Sequence, residues 1–320
     1  MKSILQHILT LNQGGTKYGK APHKPVLLLA VIESFENHEI VENRIEICED
    51  LVQRFRDIWS ILVKTQHVPT FYLPFYHLHN EKSDIWNLIP YFGKEIPLTK
   101  SHSIRSYRAL IETVNHAQLS PELYIAFSDP IKREEIKAAI LEKYFGIHQS
   151  TEYSTRETYS AKIKQQILYD PEQNYARIVK QTINEQPKEV RDEFVAARSA
   201  VFRKAILEVY ENQCAITGLK VADAKNRSLV DACHITPFAE SYNDSIRNGL
   251  ALSPTFHRAF DRGLIAISDK YKILVHPKLK DFNPESGIRQ YENSEILLPE
   301  ENRFHPSVKH FREHRLKFGF

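Results

Sequence analysis

The sequence of 320 residues predicts an α+β protein in two parts: a mostly helical first half, and a C-terminal domain ordered helix, strand, loop, strand, helix. Three observations predict it. Apolar residues at helical spacing dominate the first half, with only short alternating runs between them. The second half sets two strand-like segments, SLVDACHITP and LALSP, ahead of a short helix that Gly263 stops. The chain is also longer than one ordinary hydrophobic core accommodates.

PVLLLAVIESFENHEI (25–40) opens with proline at a first helical position and continues as an apolar stripe, the pattern of a buried helix. ICEDLVQRFRDIWSILV (47–63) places Leu51, Phe55, Ile58 and Leu62 at helical spacing. Tyr72, Pro74, Phe75, Tyr76, His77 and His79 then crowd what reads as a short loop. DIWNLIPY (84–91) alternates and reads as a strand. SIRSYRALIETV (103–114) and PIKREEIKAAILEKYF (130–145) read as helices, the second ending near Gly146. A first domain is expected over 1–147. Residues 148–187 are polar without a strong apolar face and read as a partly helical linker. The second domain, 188–320, opens with the helix VRDEFVAARSAVFRKAILEVY and turns at Thr217-Gly218. Its strand ends at Pro237, and the polar loop FAESYNDSIRNG leads to the second strand. A helix over 254–262 and a hairpin made by LIAISD and KILVHP follow.

Composition narrows the function classes. Hydrophobic residues at 42% and charged residues at 26% describe a globular chain, not a disordered one. No apolar run approaches the ~18–20 residues that span a bilayer. The opening MKSILQHILTLNQGG is too polar for a signal peptide, so a cytoplasmic location is expected. Cys48, Cys214 and Cys233 are scattered without a C-x-x-C, which supports neither a zinc ribbon nor a disulfide framework. They read as half-buried packing thiols. A net charge of +3 permits a nucleic-acid partner without demanding one.

The chemistry concentrates between residues 231 and 262. His234 ends a strand, Asn248 sits in the turn before Gly249, and His257 lies inside the following helix. Asp261 is at i+4 from His257, so both side chains leave one helical face. An imidazole and a carboxylate so placed form a platform for a divalent cation. His234, delivered from a strand packed on that helix, is a separate neutral imidazole able to act as base.

These residues, set in H-I-x-P, N-G-L-A-L and F-H-x-x-F-D-x-G-L-I, resemble an HNH endonuclease of the ββα-metal type over about residues 205–276. The resemblance implies metal-assisted phosphodiester hydrolysis. His234 would polarise the attacking water, and Asn248 would tie the loop and orient that base. His257, with Asp261, would hold one divalent metal ion, Mg²⁺ or Mn²⁺, at the scissile phosphate. Arg258 and Arg262 would hold phosphates. Many relatives carry an Asp immediately before the first His as a metal ligand. Here that position is Cys233, and Asp231, two residues earlier on the same strand face, is the candidate substitute. Relatives with two C-x-x-C pairs bind a structural zinc; with Cys214 unpaired at that spacing, none is expected here.

In the first half, APHKPVLLLAV puts His23 and Lys24 at a helix N-terminus, where free N–H groups and the dipole favour an anion. Phe75, Leu78 and Trp86 read as core. With H-K-P-x-L-L-L-x at 23–30, P-F-x-x-L at 74–78 and the final K-Y-F, residues 15–146 resemble the sulfur-binding domain of phosphorothioate-dependent restriction endonucleases. That resemblance implies an apolar pocket for the sulfur of a DNA phosphorothioate. Pro74 would be its proline, with Tyr72 adjacent, and His77 would stand where the family has a small residue. His23 and Lys24 would be its basic pair, with Lys100 and Arg105 as further DNA contacts. The expectation is a modification-dependent restriction endonuclease acting on double-stranded DNA, phosphorothioated if the pocket is conserved in kind. A homodimer would account for double-strand cleavage. Two alternatives stand beside it: an HNH nuclease that reads another mark or plain sequence, and a DNA-binding protein whose nuclease fold no longer cuts.

Overall fold

The computed structural model describes residues 2–81, 84–97, 104–148, 157–223 and 228–320. The chain divides into two compact units. Unit 1 comprises Met1–Lys162 and Ile183–Arg198; unit 2 comprises Ile163–Thr182 and Ser199–Phe320. The fold is α+β, with a mostly helical first part and small β-hairpins in the second. Among the described residues, no helix is long and apolar enough to cross a membrane.

Unit 1 is organised around a buried helix. After α1 (Lys2–Leu9) and a small hairpin, β1 (Gly15–Thr16) with β2 (Gly19–Lys20), comes α2 (His23–Glu36). Val26 through Ile32 are all fully buried there, because PVLLLAVI is apolar on every face and only a helix enclosed by others can hold it. The helix starts at His23, two residues ahead of Pro25, which still lies in the first turn where no intrahelical N–H is needed. It packs on α3 (Glu49–Leu62), α4 (Tyr72–His77) and α7 (Pro130–Phe145). The aromatic segment expected as a loop is therefore helical: Pro74 occupies the first turn of α4, and Tyr72, Phe75 and Tyr76 are buried.

A three-stranded antiparallel sheet covers this core in the order β3 (Ile45–Glu46), β5 (Val114–Leu119), β4 (Trp86–Pro90). The expected helix over 103–114 is shorter and begins later. The helical part is α5 (Tyr107–Thr113), and the chain passes directly into β5 at Val114. Val114, Ala117 and Leu119 are buried, and the central strand gains ladder bonds from both neighbours, which outweighs continuing the helix. After α6 (Pro121–Ser128), α7 begins with the Asp129 carboxylate accepting the N–H groups of Ile131 and Lys132. It ends at Gly146 in the left-handed conformation, as its sequence predicts.

The polar segment after residue 157 forms α8 (Tyr159–Tyr169) and α9 (Glu172–Glu185). α10 (Arg191–Val209) follows. Near its start, Glu193 is fully buried. Its carboxylate accepts the backbone N–H of Phe71 at 2.9 Å and of Tyr72 at 2.7 Å. Those donors belong to the N-terminal end of α4, where free N–H groups accumulate.

In unit 2, Ile163, Ile167, Tyr175 and Val179 are buried. β6 (Asp231–His234) pairs antiparallel with β7 (Gly249–Leu252), His234 opposite Gly249. Between them lies the one-turn helix α11 (Phe238–Ser241). Then come α12 (Pro254–Asp261), the hairpin of β8 (Ile265–Ile267) and β9 (Ile273–Val275), and finally α13 (Val308–Phe318). Cys214 and Cys233 are wholly buried and Cys48 is exposed, a sharper division than the half-buried thiols expected. Two glycines are required. A Cβ on Gly249 would lie 2.1 Å from Ile206 Cδ1. At Gly263, φ is +63° and a Cβ would lie 2.2 Å from the Phe318 ring.

Two outcomes follow from these packings. Gly249→Ala should destabilise the protein by about 1–3 kcal/mol in urea unfolding, since the buried Ile206 and Phe202 must move. Burial raises the Glu193 carboxyl from its usual 4.5 to about 7, against the pull of its two N–H donors and Arg56. The folded state thus binds the proton more tightly than the unfolded one. The resulting stability is complete below about 4.5 and is lost as pH rises through about 7. Glu193→Gln should flatten that pH dependence of the denaturation midpoint; an unchanged slope would exclude Glu193 as its source.

Candidate active site

Asn248 is fully buried and all its amide atoms are engaged. Its Oδ1 accepts the N–H of Thr236 at 2.9 Å, and its Nδ2 donates to the carbonyls of Thr236 at 2.9 Å and Asn243 at 2.7 Å. Its carbonyl accepts the N–H of Ile235 at 2.9 Å. The polar loop between the strands is therefore tied at both ends by one residue. His234 is held at the strand end next to this knot.

The His234 ring stacks on Phe202 of α10, with centroids 3.9 Å apart and planes 8° apart. Burial lowers its pKa from 6.5 to about 4, only partly offset by Asp244, so the imidazole is neutral. Its Nε2 is buried with no partner among the described residues. A buried ring nitrogen left unmatched is uncommon and marks a place where something else bonds.

His257 lies between two carboxylates. Its Nδ1 is 3.3 Å from Asp231 Oδ2, and its Nε2 is 3.4 Å from Asp261 Oδ2. The Cys233 thiol donates towards Asp261 Oδ1 at 3.8 Å. One ligand atom each from Cys233, His257 and Asp261 lies within 4.8 Å of the others. Imidazole nitrogen and carboxylate oxygens, with a second carboxylate on Asp231, fit a divalent cation. Burial, then Asp261, then Asp231 push the Cys233 thiol well above its usual range, so the protonated form dominates without a cation.

His234, His257 and Asp261 line one cleft of about 510 Å³. Its other wall was not anticipated from sequence. It is α13, through His314, Lys317 and Phe318. Lys317 pairs with Glu240 of α11 at 2.7 Å. The spacing of apolar residues in HFREHRLKFGF was the available signal for this helix. Phe202 was likewise missed as the ring that supports His234, since it reads as one core position among many. Arg258 and Arg262 are exposed and do not line the cleft.

In unit 1, His23, Lys24 and His77 come together on a second cavity of about 430 Å³. α4 directs Leu73 and His77, one turn apart, towards it, while Tyr72 and Pro74 are buried in the core and absent from the lining. Lys24 pairs with Glu81, and both side chains are nearly buried. His23 donates from Nε2 to the Val68 carbonyl at 2.9 Å, and burial lowers its pKa to about 4. Arg105 is exposed, and Lys100 lies outside the described residues.

Replacing Asn248 by Ala strips partners from the Thr236 N–H and from two carbonyls at once. The expected loss is about 1–3 kcal/mol in urea unfolding; a change within about 0.5 kcal/mol would mean the loop is held by other contacts.

Comparison with known proteins agrees with this geometry. Residues 214–268 match the family described as HNH endonuclease. No curated protein matches the chain. Among solved structures, the chain is similar to "Modification dependent TagI restriction endonuclease" at 23% identity and a TM-score of 0.30. That match covers 39% of this chain and 39% of that one. It is also similar to "Type IV phosphorothioation-dependent restriction endonuclease ScoMcrA" at 9% identity and a TM-score of 0.33, covering 80% of this chain and 93% of that one. An HNH site implies a divalent metal ion. Residues 214–268 are an HNH endonuclease domain, a family whose chemistry is phosphodiester hydrolysis.

Proposed function

We propose that this protein is a modification-dependent restriction endonuclease that cuts double-stranded DNA with a one-metal site. The observation that carries the catalytic half is His234: a neutral, ring-stacked imidazole with an unmatched nitrogen, beside His257 and Asp261. His234 takes the proton of the attacking water. Phe202 and the Asn248 knot hold the ring in place. His257 and Asp261 hold the cation, with Asp231 and Cys233 beside them. A cation held by these residues would supply positive charge to the phosphate under attack. Arg258 on α12 and Arg262 just after it, both exposed, contact flanking phosphates.

The N-terminal domain reads the mark, with His23, Lys24 and His77 on its cavity and Lys100 and Arg105 as further DNA contacts; the buried Tyr72 and Pro74 support α4 from the core. The resemblance of residues 15–146 to sulfur-binding domains makes a phosphorothioate the first mark to test. A second reading, an uncharged mark on a base, is favoured by a specific observation: Lys24 is already neutralised by Glu81. The protein acts in the cytoplasm, and pairing of two copies would supply two cuts.

His234→Ala should lower the cleavage rate by about 10²–10⁴-fold in Mg²⁺ or Mn²⁺ while a duplex still binds. Full activity in that variant would remove His234 from the mechanism. Binding should weaken with salt at a log–log slope of about −0.9 for each phosphate neutralised, and a flat response would remove the backbone grip. Paired duplexes with and without an Rp phosphorothioate separate the marks: cutting of the sulfur duplex alone supports sulfur, and equal cutting excludes it.

A further inference from the structure

The 430 Å³ cavity of unit 1 is built for something uncharged. The cationic residue on its wall, Lys24, is held by Glu81, whose carboxylate also accepts the Asn12 N–H at 3.2 Å. His23 is tied to a carbonyl and kept neutral by burial. His77 is likewise lowered by burial, with Lys24 and His79 adding to the effect. Among the described residues, the one cationic side chain on the cavity wall is Lys24, already paired with Glu81. A lone sulfur atom would also leave most of the space empty, whereas cavities of ~300–1,000 Å³ enclose ring-sized ligands.

The lining matches a flat heteroaromatic ring. Leu73, Ala21 and the imidazoles of His23 and His77 offer apolar and π surface. Asn12, Gln13 and Asn80 line the same space, the Asn80 Nδ2 standing 3.4 Å from His77 Nδ1. Gln13 spends its NH₂ on the Ala21 carbonyl at 2.8 Å, which leaves its oxygen as an acceptor. Amides that present both donor and acceptor atoms suit the hydrogen-bonding edge of a base. The cations lie outside. Lys17 and Lys20 sit on the exposed β1–β2 hairpin, whose Thr16 forms part of the cavity wall, and Lys17 stands over the Tyr18 ring at 4.9 Å. Phosphates would meet the hairpin, and a neutral group would enter beneath it.

We infer that this cavity receives a single nucleobase turned out of the duplex, and that the mark read by the N-terminal domain is carried on that base. The inference rests on the reading that this domain binds DNA. Extrusion suits the geometry, because a base inside the stack cannot present its whole edge to a recess on the protein surface.

The test uses the full chain in EDTA, so that no cutting intervenes. It is offered random-sequence duplex pools that are plain, carry 5-methylcytosine, 5-hydroxymethylcytosine, its glucosylated form or N6-methyladenine, or bear Rp phosphorothioates. At least one base-marked pool should be retained about tenfold over plain DNA, and the phosphorothioate pool should not. A mismatch opposite the mark should tighten binding further, since it lowers the unpairing cost. Ala21→Phe, which fills the cavity, and Asn80→Ala, which removes one amide, should each erase the preference, with thermal melting as the check on folding. Retention of the phosphorothioate pool alone overturns the inference and keeps mark-dependent binding. Equal retention of every pool overturns both, and loss of all retention removes DNA binding itself. A preference that survives both folded variants overturns the cavity as its site.

Discussion

The catalytic arrangement depends on one buried amide. Asn248 satisfies backbone groups of Thr236, Asn243 and Ile235, so the loop that leaves β6 returns to β7 along a single path. Buried backbone groups must be paired, and few side chains offer both donor and acceptor at the reach required. With the loop closed this way, His234 faces Gly249 across the ladder. The missing Cβ at Gly249 lets Ile206 and Phe202 approach, and Phe202 is the ring on which His234 stacks. The His234 ring is thus positioned by an amide, the missing side chain of Gly249 and an aromatic face.

The two cavities differ in their electrostatics. In the nuclease cleft, His257 stands between the carboxylates of Asp231 and Asp261 with the Cys233 thiol nearby. An imidazole nitrogen and carboxylate oxygens gathered this closely offer the donor set that a divalent cation takes. In the N-terminal cavity the opposite holds: Lys24 and Glu81 cancel, and the histidines are neutral. One space demands charge and the other excludes it.

Much of this was legible in the chain. The alternation in DACH, the Asn-Gly turn and the i, i+4 pair of His257 and Asp261 identify strand, turn and helix, because each depends on local periodicity. The buried α2 and the glycine stop at Gly146 were equally local. The β5 strand was not, since VNHAQL becomes a strand only through its partners on both sides. The aromatic run at 71–77 looked irregular because proline usually interrupts helices. The first turn of α4 tolerates it, and Glu193, far along the chain, accepts the N–H groups there.

By itself the sequence determined the fold class, the order of elements around the nuclease motif, and the identity of His234, Asn248, His257 and Asp261 as the residues to watch. Tertiary structure alone decided how each is used. It joined Cys233 and Asp231 to His257 and Asp261, closed the cleft with α13, and paired Lys24 with Glu81. The reason is physical. Periodicity reports which face of an element is apolar, but the charge state of a buried group depends on neighbours brought in from distant parts of the chain.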